Sequence, residues 1–188
     1  MKTPTISILD NWREAYKDME VQTYTAEDST PKLVIDMQTG KFIFETTGRP
    51  DGLKPYKFDS FWDFLKGKEN EAIEKSVSFV LTKDDVVHLC QEMLLYHIRS
   101  LAFARLEKFN ESHLDAFRNL QVLNYTHFRK VEEEGAPVLK QVRFLTLKRY
   151  YEAVKNRDKN GEAEMTPTRE EGQQNTDVVS EKTEAPMS

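Results

Sequence analysis

The chain has 188 residues, of which 38% are apolar and 31% charged, and its net charge is −5. The charge is uneven: residues 1–156 carry 23 basic and 24 acidic side chains, while residues 157–188 carry 4 and 8. That length suits one domain with flanking segments, and a near-neutral body exerts no general pull on nucleic acid or on an anionic membrane.

A single cysteine, Cys90, cannot staple the fold, so nothing points to an oxidising compartment. The apolar stretch within residues 1–10 is too short for a secretory signal. No run of about eighteen apolar residues occurs, so no membrane span is expected. The expectation is a cytoplasmic α+β protein, predominantly helical: a small β-hairpin, a bundle of three longer helices and a disordered acidic tail, with no cofactor.

In chain order, residues 10–20 read as a short helix capped by Asp10, with Trp12, Tyr16 and Met19 on one face. Residues 21–31 are polar and turn-prone, which makes residues 1–31 a helix and linker. Residues 32–46 read as a β-hairpin: Leu33, Val34 and Ile35, then turn chemistry ending at Gly40, then Phe42, Ile43 and Phe44. A lone hairpin is marginal in water and must pack on helices or on another chain. Residues 47–57 form a loop around Gly48, Pro50, Gly52 and Pro55. Asp59 or Ser60 then caps a short helix from Phe61 to Lys66. Residues 76–81 alternate and suggest a third strand, closing a region 32–81.

The helical region spans 82–156. Thr82 and Asp85 form a capping-box pattern, and apolar residues recur at helical spacing from Val86 to about Phe109. Leu101, Ala102, Phe103, Ala104 and Leu106 widen that stripe, as burial on two sides requires. A second helix covers about 112–133. Gly135-Ala136-Pro137 stops it and starts another over 138–156. A strand over 142–147 is the alternative there. Residues 157–188, poor in large apolar groups, cannot offset their chain entropy.

The usual catalytic patterns are missing: no phosphate-binding glycine loop, no nucleophile elbow, no zinc-protease motif and no paired-cysteine site. Asp84, His88 and Glu92, four apart, line one helical face and offer two carboxylates and an imidazole to a divalent metal. The same spacing serves ordinary surface pairing. Cys90 and His97 are about 10 Å apart along a helix, too far for a nucleophile and its base, so Cys90 reads as a small core residue.

Two surface candidates remain. Residues 58–65 are dense in aromatics, and Phe58, Phe61, Trp62 and Leu65 are candidate protein contacts. The Phe-x-x-x-Trp-x-x-Leu spacing resembles the groove-binding helix of a tumour-suppressor transcription factor over these eight residues. The resemblance implies a helix laid in a partner's groove, whereas the bland reading has these residues packing on their own domain. On the last helix, Lys140, Arg143, Lys148 and Lys155 share one sector with Phe144 and Tyr151, as a phosphate-tracking, base-stacking surface requires. Buried aromatics with solvated basic stems would give the same pattern.

The leading expectation is a non-enzymatic protein–protein interaction or assembly module, self-associating or bound to a larger complex. The alternative is a nucleic-acid-associated accessory protein using the basic helix, and the second alternative is an enzyme with a metal site at Asp84, His88 and Glu92.

Overall fold

A computed structural model describes residues 18–37 and 40–160. It is α+β and mainly helical. Strands β1 (Glu20–Thr25), β2 (Pro31–Met37) and β3 (Gly40–Glu45) come first, followed by a 3-10 turn at Pro55–Lys57. Helix α1 (Phe61–Glu74), strand β4 (Val80–Leu81) and helix α2 (Lys83–Arg105) follow. Helix α3 (Phe109–His127), strand β5 (Lys130–Val131) and helix α4 (Ala136–Lys159) complete the described residues. The expected tail begins too early at 157: residues 157–159 continue α4, and the remainder, from 161, lies outside the described residues.

The hairpin forms with Leu33 opposite Phe44 and Ile35 opposite Phe42. Gly40 opens β3 at φ 135°, a conformation suited to glycine. The sheet has a strand that the sequence reading placed in a linker: β1 pairs antiparallel with β2, Val21 opposite Ile35 and Thr23 opposite Leu33. The reason is local. Thr30 donates to the Asp28 carboxylate, and the Ala26 amide bonds to the Thr30 carbonyl, which turns the polar segment into a hairpin. The expected helix over 10–20 falls outside the described residues up to 17. At its far end Glu20 belongs to a strand, and Met19 packs under the sheet.

The inner face of the sheet, with Leu33, Ile35, Met37 and Phe44, closes on Ile98, Ala102 and Phe103 of α2. This explains the wide apolar stripe around Leu101 to Leu106 within one chain: the sheet covers one side and helices the other. The first half of α2 serves a second core, in which Val86, Leu89 and Met93 meet Phe61 and Leu65 of α1 and Val122, Leu123 and Tyr125 of α3. One helix thus passes through both cores.

Several boundaries differ from the sequence reading. Ser60 caps α1 by accepting from the Asp63 amide at 3.0 Å, and the helix runs to Glu74 rather than Lys66. Its charged second half lies mostly on the surface. The expected strand over 76–81 shrinks to Val80 and Leu81, paired in parallel with Lys130 and Val131. The capping box at Thr82 and Asp85 forms in full. Helix α2 ends at Arg105, where Glu107 turns the chain at φ 59°. Helix α3 ends at His127, so Glu132 is not part of a helix end. It reaches across, its carboxylate accepting the Lys83 amide at 2.8 Å at the start of α2, where negative charge complements the helix dipole. Residues 142–147 are helical within α4. No helix among the described residues is long and apolar enough to cross a membrane.

Candidate functional site

Four arginines organise the interior polar groups. Arg99, buried, grips both oxygens of Asp115 at 2.8 and 2.7 Å and donates its remaining nitrogen to the Glu45 carbonyl at 3.0 Å. This fixes the end of β3 to α2 and α3. Glu92 is 1% exposed and is held by Arg49 at 3.1 Å and by Arg118. It also accepts the Phe61 backbone amide at 2.6 Å. The Arg118 guanidinium lies 3.7 Å from the centre of the Tyr96 ring. Arg149 of α4 donates to the Ser100 hydroxyl and carbonyl, each at 2.9 Å, and to the Ser112 hydroxyl. A paired buried charge is tolerated only when hydrogen-bonded in this manner, so these groups act as framework.

That arrangement removes the metal reading. Glu92 faces the interior and is saturated by two arginines and a helix amide, whereas Asp84 and His88 are exposed. The His88 ring instead lies 5.1 Å from that of Phe61. Among the described residues, no three histidine, cysteine or acidic side chains are placed to hold a metal ion. Periodicity put the three on one helical stripe, but the stripe straddles the boundary between core and solvent. Cys90 packs against the helical core, and burial pushes its thiol up to about 12. Burial, with the Arg149 charge as a smaller cause, pulls His97 down to about 4.

The aromatic segment is divided. Phe61 and Leu65 lie in the core and are fully enclosed. Trp62 is half-buried against Tyr125, with ring centres 6.1 Å apart, and the Lys66 ammonium lies 4.4 Å from its ring. Phe58 is partly exposed and packs edge-on to Phe64 at 5.8 Å. Two of the four expected contact residues therefore hold α1 onto its own domain, and the segment does not present a continuous Phe-Trp-Leu ridge to a groove.

The outer face of α4 has the opposite character. Its inner side is held by Ala153, Thr146 and Arg149, all buried. On the solvent side Lys140, Arg143, Lys148 and Lys155 are all exposed. Between them stand Phe144, 63% exposed, and Tyr151, 68% exposed. Positions 140, 144, 148, 151 and 155 step by three or four residues and so form one stripe. The stripe is about 22 Å long at 1.5 Å per residue. Among the described residues one carboxylate touches it: Glu152 lies 3.7 Å from the Lys148 ammonium. Beside the stripe, Tyr150 meets His113 and Phe117 of α3 with ring centres 5.7 and 6.2 Å away, extending the aromatic surface across the helix pair. The sequence places all these residues in one sector. It does not reveal that the aromatics point outward, because a helical Phe or Tyr usually marks the core.

No family model, curated protein or solved structure matches the chain.

Proposed function

We propose that this protein is a non-enzymatic interaction and assembly module, working in the cytoplasm, whose contact face is the outer side of α4. The observation that carries this reading is the exposure of Phe144 and Tyr151 on one helical stripe framed by Lys140, Lys148 and Lys155. Large exposed aromatics that leave the protein's own core complete are the groups that interfaces bury as anchors. The surrounding cations favour a partner surface of opposite charge and speed its encounter. Self-association is the first form to test, with the α4 face of one copy on an acidic surface of another, since two α4 faces would set lysine against lysine. Size-exclusion light scattering of the untagged full chain is the measurement, with F144D and Y151D as comparisons. A multimer that both variants reduce to a monomer supports the reading, and a multimer indifferent to them removes α4 from the interface.

The interleaving of bases and aromatics favours a second reading, contact with single-stranded nucleic acid, whose backbone follows cations while bases stack on rings. Four cations on about 22 Å of helix make a small footprint, so a protein partner is ranked first. Ultraviolet absorbance of the same eluate separates the two, because bound nucleic acid is visible at once.

A further inference from the structure

We propose that the chain's own acidic C-terminal segment, residues 161–188, docks on the basic outer stripe of α4 and competes there with the partner. The inference rests on the contact face assigned above and adds its regulation. Four observations lead to it. First, the stripe is cationic: Lys140, Arg143, Lys148 and Lys155 are exposed, and among the described residues Glu152 is its one touching carboxylate. Second, residues 161–188 carry seven acidic and two basic side chains, while residues 1–160 carry 25 of each sign, so the net negative charge of the protein is concentrated in that segment. Third, the segment leaves directly from the end of α4. Gly161 follows Asn160, the residue that caps the helix. Glycine is the residue helices use in that position to reverse the chain. Fourth, the lengths agree. Glu162, Glu164, Glu170 and Glu171 fall within the first eleven residues, which span about 36 Å when extended, enough to run back along the stripe. Glutamates laid along the lysines leave the partner's counter-charges without a place, so the segment sets a threshold that a partner must exceed.

Paramagnetic relaxation in the full-length protein tests this without any partner. A nitroxide is attached at T168C in a C90A background, so that the native thiol takes no label. A free tether of eight residues spans about 16 Å on average, whereas Lys140 lies about 30 Å from Asn160 along the axis. In low salt the amides of residues 140–148 lose about half of their intensity, and they regain it in about 1 M salt, where the Debye length is about 3 Å. Replacing Glu162, Glu164, Glu170 and Glu171 together by Gln keeps the tether and restores the signals, as does the K148E/K155E pair. Equal broadening with the Gln segment, or none at residues 140–148 with the native one, overturns the proposal. A flat spectrum leaves the partner face standing, and a failed light-scattering test leaves the spectrum unaffected, so the two readings fail separately.

Discussion

The Glu92 carboxylate of α2 accepts the backbone amide of Phe61, 31 residues earlier, at 2.6 Å. It thereby takes one of the amide donors that a helix start leaves unsatisfied. Arg49 and Arg118 close on the same carboxylate, so one buried anion fixes the entry to α1, the loop after the sheet and the face of α3. Removing it strands two cations. E92Q is expected to destabilise the protein by about 3 kcal/mol, read as a shift of the urea midpoint at unchanged slope. A midpoint within error of the native one would show that water replaces the carboxylate.

His97 gives a pH dependence with a definite sign. Its folded-state value, about 4, lies below the ordinary 6.5, so the fold holds it neutral. The associated stability is present above the unfolded value and is lost as pH falls through the interval between the two. By pH 5 the loss from this one group is about 2 kcal/mol. Urea unfolding of the native protein and of H97Q at pH 7 and pH 5 isolates it. The variant loses less on acidification, and equal losses would locate the sensitivity elsewhere.

Gly135 is required by packing. Its φ of −82° suits any residue, but an added Cβ would meet Val86 Cγ2 at 3.0 Å and Val131 Cγ1 at 3.2 Å. G135A is expected to cost about 1–3 kcal/mol through overpacking, with much of the loss recovered by pairing it with V131A. If the pair is no more stable than the single variant, the cost lies in the backbone.

Phe144 and Tyr151 should be dispensable for folding. F144A and Y151A are expected to change stability by about 0.5 kcal/mol or less, whereas L65A, at a fully buried site, costs about 2–5 kcal/mol. Thermal melts of the three variants decide. A large loss at position 144 would make that ring part of the fold and weaken the contact-face assignment.

The basic stripe makes a quantitative statement about nucleic acid. If single strands bind there, the K148E/K155E pair lowers the magnitude of the salt slope of log K by about 1.4, measured by fluorescence anisotropy with an oligonucleotide. An unchanged slope excludes these lysines from phosphate contact.

Much of this architecture is visible in the residues. Alternation and Gly40 mark the hairpin, Thr82 and Asp85 mark the start of α2, and Gly135 with Pro137 separates the last two helices. Strand β1 is hidden because Val21 is its one large aliphatic side chain, and five of its six residues are exposed. The second half of α1 is hidden because residues after Lys66 are charged and polar, and the helix is anchored by its Ser60 cap and by Phe61 and Leu65 in its first turns. Glu92 illustrates a deeper limit. Its role depends on Arg49 and Arg118, 43 and 26 residues away, and no local pattern announces such a meeting. The α4 stripe was legible as a sector, and only its packing reveals which side faces water.

The two-residue parallel pairing of β4 with β5 has a consequence for the order of folding. Each of the sheet's hairpins closes over a short loop, so that region assembles by local steps. Joining Leu81 to Val131 instead brings together points 50 residues apart, after α2 and α3 have turned back on each other. Contacts of such long range are entropically expensive before their neighbours exist. The small bridge is therefore a late clasp: weakening it should hasten unfolding while leaving the rate of folding nearly unchanged.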